Sequence, residues 1–261
     1  MPDPQELLYP TKKVRVEDRR KDARHRKLLD EFFDHPTLMA ISRLITQGQF
    51  ESLDYPISTG KEGGVFRASL PGGFRAVKVY RIGNTMFRHL PSYVLEELLR
   101  EASARNRSQL ILAWTRREHT VLRRLSGAHV RCPQPYGYFR NVLVMELIGT
   151  DGMPSPTLQE SVVGDPQAVY GDLIEQVRRM LFGARLVHGD LSPYNVLLHQ
   201  GLPALIDVAQ SIEVTHPQSQ GLLERDLRNF ARYFAKLGVK TSLGAMLDAV
   251  GAAEVWPRQA S

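Results

Sequence analysis

The densest run of reactive side chains is Val187-His188-Gly189-Asp190-Leu191-Ser192-Pro193-Tyr194-Asn195-Val196-Leu197. Asp190 is followed five residues later by Asn195 and then by a short apolar stretch. A carboxylate at the head of such a loop can accept the proton of a hydroxyl nucleophile, and an amide oxygen further on can ligate Mg2+. Read alone, the run is also an ordinary turn rich in Asp, Ser, Pro and Asn. Leu205-Ile206-Asp207-Val208 lies just beyond it and ends an apolar strand in one acid. Asp207 and Asn195 together offer the hard oxygen donors that Mg2+ prefers, so the chemistry indicated is metal-assisted phosphoryl transfer.

Two further segments fit that chemistry. Ala76-Val77-Lys78-Val79-Tyr80 places a lysine inside an apolar strand, which is costly unless the ammonium has a partner. Phosphate oxygens and a helix glutamate are such partners. Glu118 is the candidate, on an amphipathic stretch at 113–125 with Trp114, Val121, Leu122 and Leu125 on its apolar side. The alternative is a lysine that snorkels to water from an edge strand. Ile57-Ser58-Thr59-Gly60-Lys61-Glu62-Gly63-Gly64-Val65 is a glycine-bearing strand–turn–strand. Its N–H groups can approach phosphate oxygens, although a plain flexible hairpin has the same composition.

The elements that must hold these residues follow from periodicity and turn chemistry. Short β-leaning runs at 55–58, 65–69 and 75–80 are separated by glycines and by Pro71-Gly72-Gly73, which reads as a hairpin connection. A helix is expected over 27–47, with Leu28, Leu29, Phe32 and Phe33 on one face and Gly48 at its end. The basic stretch about 83–110 reads as a mobile loop with helical pieces. Beyond it come the helix at 113–125, a buried strand at 142–147, a proline-marked linker and a helix at 170–181. Two short strands at 196–198 and 204–208 and a helix at 222–237 follow. Strands first and helices later predict an α+β protein: an N-terminal extension over 1–50, a β-rich lobe over 51–148 and a helical lobe over 149–261.

The chain has 261 residues, a formal charge of +6 and a hydrophobic share of 43%, enough to build a sizeable core. Its single cysteine, Cys132, excludes an internal disulfide framework, reads best as a small buried side chain, and agrees with a reducing, cytoplasmic setting. The N-terminus shows no apolar signal region, and no apolar run reaches the ~18–20 residues of a membrane span. The positive charge favours acidic partners. Part of it lies in Lys12-Lys13-Val14-Arg15, Arg19-Arg20-Lys21 and Arg24-His25-Arg26-Lys27. That arm reads first as a solvated face and second as a contact for RNA or a ribosomal particle, without the interleaved aromatics that would stack on bases.

Taken together, these segments resemble the RIO family of atypical serine/threonine protein kinases, on its Rio-one-like branch. Ser58-Thr59-Gly60-Lys61-Glu62 is similar to that family's phosphate loop, and Trp114-Thr115-Arg116-Arg117-Glu118 to its Trp-Ala-x-Lys-Glu helix. Cys132-Pro133-Gln134-Pro135, the hinge-like Leu143-Val144-Met145-Glu146-Leu147-Ile148-Gly149 and Met153-Pro154-Ser155-Pro156 each have a counterpart. Ile206-Asp207-Val208-Ala209-Gln210-Ser211 is similar to Ile-Asp-Val-Ser-Gln-Ser. The resemblance runs from about Tyr55 to Phe234. It implies a two-lobed protein-kinase-like fold without an activation loop or peptide-docking helices, using ATP with Mg2+ or Mn2+.

The resemblance also implies roles. Lys78 would hold the ATP phosphates and pair with Glu118. Asp190 would be the catalytic base, and Asn195 and Asp207 would bind metal. Ser58, Thr59, Lys61 and Val65 would contact nucleotide from the phosphate-loop side, and Met145, Glu146 and Ile148 at the hinge. The four central side chains, Lys78, Asp190, Asn195 and Asp207, would converge on one triphosphate. The substrate would be a protein, the chain itself included, in a setting of ribosome maturation, and an aspartyl-phosphate at Asp207 would allow ATPase turnover.

Departures from the family pattern keep other readings open. Gly63-Gly64 stands where Ala-Asn is usual. Gly189 replaces an alanine and makes a His-Gly-Asp triplet shared with aminoglycoside phosphotransferases. The alternatives are therefore a small-molecule kinase of that type and a binding protein switched by nucleotide.

Overall fold

The computed structural model describes residues 33–60, 63–81, 90–102 and 107–256. The chain divides into two compact units, one formed by Met1–His119 with Pro135–Leu147, the other by Thr120–Gln134 with Ile148–Ser261.

The first unit is built on a five-stranded antiparallel sheet. Its strands are β1 (Ser52–Thr59), β2 (Gly63–Leu70), β3 (Gly73–Tyr80), β4 (Pro135–Phe139) and β5 (Val142–Glu146), in the spatial order β1-β2-β3-β5-β4. The β2–β3 turn is made at Pro71-Gly72, where Gly72 adopts φ +82°, a conformation that glycine takes without steric cost. Period-two burial in β2 turns Phe66 and Ala68 to one face, where they meet Val77, Val79, Val142 and Val144. Helix α1 (His35–Thr46) lays Ala40, Ile41 and Leu44 on that face. Each fully buried Leu, Ile or Phe contributes roughly 1.5–3 kcal/mol there.

Helix α1 starts later than 27–47 because Asp34 caps it. The Asp34 side chain accepts a hydrogen bond from the Thr37 N–H at 2.9 Å, and Pro36 occupies the first turn. Phe33 precedes the helix and is buried against the Phe66 ring. The basic arm and residues 28–32 lie outside the described residues. Where it is described, the stretch about 83–110 expected as a mobile loop is mostly helical: α2 spans Ser92–Ala102 and α3 spans Arg107–Gly127. Tyr93, Val94 and Leu98 form a buried stripe on α2. Arg117 of α3 is tied to Glu97 of α2 by a 2.6 Å ion pair.

The second unit carries helices around short hairpins. After β6 (Gly149–Thr150) and β7 (Met153–Pro154) comes α4 (Pro166–Phe182), capped by Asp165, whose carboxylate accepts from the Ala168 N–H at 3.0 Å. Strand β8 (Leu186–Val187) pairs with β11 (Ile212–Glu213), and β9 (Val196–His199) pairs with β10 (Leu202–Leu205). Helix α5 (Ser219–Lys236) packs its buried face, with Leu223, Leu227, Phe230 and Phe234, against β8, the Pro193–Asn195 turn and α6 (Leu243–Ala249). A last turn, α7, spans Ala252–Val255. Among the described residues no helix is long and apolar enough to cross a membrane.

Candidate active site

In the first unit, strand register decides what surrounds Lys78. It lies opposite Val65 of β2 and Leu143 of β5, while Ala76, two residues away, lies opposite Arg67 and Met145. Residues two apart share a face, so Val65 and Met145 lie on the face from which Lys78 projects. Lys78 Nζ donates to Glu118 Oε1 at 2.7 Å, and the Tyr80 ring centroid is 5.2 Å from the ammonium. Glu118 is 1% exposed. Removing one partner of so dry a pair strands a buried charge, which costs about 3–5 kcal/mol.

The glycine turn ends β1 and begins β2. The Gly60 N–H donates to the Gly63 carbonyl at 2.8 Å, and Ser58 and Thr59 are exposed before it. Lys61 lies outside the described residues. A Cβ at Gly63 would come within 2.4 Å of the Val79 carbonyl oxygen. The glycine there suits the close approach of two backbones. At the hinge, Met145 is buried in β5 and Glu146 is its exposed last residue. Ile148 belongs to the second unit, where its carbonyl accepts from the Ser155 N–H at 2.9 Å.

In the second unit the end of β8 and the open end of the β9–β10 hairpin bring Asp190, Asn195 and Asp207 together. The Ile206 N–H donates to the Asn195 carbonyl at 3.0 Å, which sets the metal-ligand candidates side by side. The Asn195 amide donates from Nδ2 to the Asp190 carbonyl at 2.7 Å and to Asp190 Oδ2 at 3.3 Å, and Gln210 Nε2 lies 3.4 Å from that same oxygen. With Nδ2 turned onto Asp190, Asn195 Oδ1 is the end left to accept or ligate. Asp207 is exposed and holds φ +57°, ψ +49°, a left-handed conformation that breaks the chain away from β10.

Burial and the neighbouring Asp207 charge push the Asp190 carboxyl above its ordinary value, against the Arg225 guanidinium and the Asn195 hydrogen bond, which pull it down. Its side chain nevertheless reaches solvent. A carboxylate so placed is a stronger proton acceptor than a free aspartate.

Several contributors carried no assigned role at the sequence level. Asp226 of α5 is 1% exposed, and its Oδ2 accepts the Gly189 N–H at 3.0 Å. The Leu191 N–H also donates to this carboxylate, so the residues on both sides of Asp190 are fixed by one side chain. Burial drives the Asp226 carboxyl up to about 7 despite these donors and the adjacent Arg225. Arg225 itself donates to the Gly189 carbonyl and, at 3.3 Å, to Asp226 Oδ1. His188 Nε2 donates to the Ile206 carbonyl at 3.0 Å, and burial lowers the imidazole pKa to about 4, so the ring is a neutral strut between the hairpins. Asp226 was visible as an acid on the apolar stripe of its helix, a signal that an acid there needs donors.

The donor set fits Mg2+. No cluster of three or more His, Cys, Asp or Glu able to hold a metal occurs among the described residues. The chain supplies an amide oxygen and a carboxylate, which suits an ion that keeps several waters and substrate phosphate oxygens in its shell.

Comparison with known proteins follows the same lines. The RIO domain profile matches residues 64–246. The chain belongs to the RIO domain family. Among its RIO relatives, the RIO-type serine/threonine-protein kinase Rio1 of Haloferax volcanii is 40% identical over 223 residues, covering 84% of this chain and 76% of that protein. The human serine/threonine-protein kinase RIO1 is 35% identical over 224 residues, covering 84% of this chain and 39% of the human one. The Rio2 kinase of Chaetomium thermophilum, solved as an ADP/Mg2+–phosphoaspartate complex, superposes with a TM-score of 0.62 at 21% identity, over 82% of this chain and 65% of that one. The RIO chain thus has the kinase-like α+β fold.

Proposed function

We propose that this RIO chain transfers the γ-phosphoryl group of ATP, with Mg2+, to serine or threonine hydroxyls of a protein, itself included. The observation that carries the reading is the cluster around Asp190: a carboxylate of raised basicity, held by Asn195, beside a second carboxylate at Asp207. In the transfer the substrate hydroxyl oxygen bonds to the γ-phosphorus, the bond from that phosphorus to the ADP oxygen breaks, and the hydroxyl proton passes to Asp190. Asn195 and Asp207 would hold the metal, which would supply charge to neutralise the phosphates. Lys78, oriented by Glu118, binds the triphosphate, and Val65 and Met145 pack the purine.

Protein rather than a small molecule is the acceptor we favour. The glycine of His-Gly-Asp has a backbone reason here, since Gly189 stands at φ +78°. A left-handed turn favours glycine whatever the acceptor, so the triplet does not argue for a sugar or aminoglycoside.

The test is Asp190→Ala assayed for ATP binding, ATP turnover and autophosphorylation, with wild type also offered a panel of aminoglycosides. Transfer should fall by at least ~100-fold while nucleotide binding is largely kept. Equal turnover in the two proteins would refute the assignment of Asp190, and faster transfer to an aminoglycoside than to protein would refute the acceptor.

A further inference from the structure

Positive charge predominates on the solvent face of α5. Arg225, Arg228, Arg232 and Lys236 recur at spacings of three and four residues, which places them along a single side of the helix over ~16 Å. All are exposed, on the side opposite Leu223, Leu227, Phe230 and Phe234. The helix has two acids: Asp226 is buried, and Glu224, one turn before Arg228, accepts from Gln220 at 3.2 Å. Among the described residues, no hydrogen bond or ion pair engages the side chains of Arg228, Arg232 and Lys236.

The stripe is anchored at the catalytic loop. Arg225 donates to the carbonyl of Gly189, the residue before Asp190. Further along, the Tyr233 hydroxyl donates to the Leu158 carbonyl at 2.7 Å, and the Leu158 N–H donates to the Val196 carbonyl at 2.7 Å. The helix therefore runs past the loop from Gly189 to the residue after Asn195. Only Ser211 to Gln218 separate the Val208–Gln210 turn from α5, so little chain competes for this side of the loop.

We infer that the α5 stripe selects the protein substrate: Arg228, Arg232 and Lys236 bind acidic side chains that flank the accepting serine or threonine. The inference rests on the proposed kinase reading and adds the substrate class. An extended peptide advances ~3.3 Å per residue. The stripe thus spans the reach of about five substrate residues beyond an acceptor at Asp190. Charge complementarity is the warrant, and it makes recognition sensitive to ionic strength, because exposed pairs are screened over about 8–10 Å at physiological salt.

The test compares full-length wild type with the triple variant Arg228→Glu/Arg232→Glu/Lys236→Glu, and with the milder Arg228→Gln/Arg232→Gln/Lys236→Gln. Three synthetic peptides share one serine and differ in its flanks: glutamate, alanine or lysine. Thermal unfolding and autophosphorylation establish that each variant is folded and active. Wild type should show a KM about tenfold or more lower for the glutamate peptide than for the lysine peptide, narrowing in high salt. The glutamate triple should lose that difference or reverse it at nearly unchanged kcat, with the glutamine triple in between. An absent preference in wild type, or one that survives in the glutamate triple, would overturn the inference while autophosphorylation leaves the kinase reading standing. Absence of any phosphoryl transfer would overturn both. If the variant instead loses salt-sensitive binding of a single-stranded RNA with the peptide KM values unmoved, the stripe belongs to nucleic acid and the inference is wrong.

Discussion

Replacing Asp226 with asparagine should make the protein more stable and less active. Asparagine has nearly the shape of a protonated aspartic acid and likewise offers one acceptor and one donor end, so the substitution imitates the low-pH form of the wild type. The native carboxyl goes from an ordinary 3.8 to about 7 in the fold, with burial as the largest cause. A folded-state pKa above the unfolded one means that the unfolded chain ionises first as pH rises. The native state then loses stability from about pH 4 until its own carboxyl ionises near 7, with a slope of up to ~1.4 kcal/mol per pH unit. At 1.36 kcal/mol per unit the full difference is roughly 4 kcal/mol, and the side chain is buried enough that solvent screening takes little of it. Urea unfolding of both proteins at pH steps from 4.5 to 8 isolates this one group, because other titrations cancel in the difference. The two curves should nearly meet at the acid end and diverge toward pH 8, with Asp226→Asn the more stable.

Activity should move the other way. One of the two backbone donors, from Gly189 or Leu191, would face an amide N–H instead of a carboxylate oxygen. Losing a hydrogen bond to a charged acceptor is worth ~1.5–3 kcal/mol, about ten- to a hundred-fold in kcat if the loop no longer holds Asp190 in place. Parallel stability curves would show that the carboxylate is not desolvated, and an unchanged kcat would show that it does not position the loop.

Other outcomes follow from the same contacts. Lys78→Met leaves Glu118 buried without its cation. It should lower stability by about 3 kcal/mol and phosphoryl transfer by at least ~100-fold, and a variant matching wild type in both denaturation and turnover would contradict the pairing. Asp207→Asn keeps a residue that tolerates the left-handed backbone while removing one metal charge. The Mg2+ concentration for half-maximal turnover should rise about tenfold or more, and an identical Mg2+ titration would rule out Asp207 as a ligand. Gly63→Ala forces a Cβ against the Val79 carbonyl and should cost ~1–3 kcal/mol by differential unfolding. No measurable loss would mean that β2 and β3 can separate there.

What could be seen in the sequence was what the chemistry itself demands. A lysine in an apolar strand needs a partner, and the partner is the helix glutamate proposed for it, Glu118, at 2.7 Å. Asp190, Asn195 and Asp207 stood out together, because each alone reads as an ordinary turn or strand-end residue while the three supply the oxygens that metal-assisted phosphoryl transfer needs. The rest depends on residues distant in sequence. Helix α2 reads as loop because only Tyr93, Val94 and Leu98 are fully buried, among partly or fully exposed neighbours that include Leu95 and Leu99. The grouping of Thr120–Gln134 with the second unit reflects tertiary contacts that helix periodicity does not encode. The need for glycine at position 63 comes from a carbonyl on the adjacent strand, and Asp226 acts on backbone N–H groups of a loop more than thirty residues earlier.

The polar groups behind the loop explain why it stays put. Asp190 sits between Gly189, at φ +78°, and a 3-10 turn, and Asp207 is itself left-handed. The β8–β11 and β9–β10 pairings both stop short of these positions, so local pairing does not hold them. The hold comes from two buried groups: His188, kept neutral by burial, and Asp226, costly to ionise but bonded to both flanks of Asp190. A pair of apolar side chains would pack that space more stably, but offers no acceptor to the Gly189 and Leu191 N–H groups and no donor to the Ile206 carbonyl. The stability lost in ionising Asp226 is therefore tied to a defined loop geometry, the stability–activity opposition expected where a site must be rigid and polar at once.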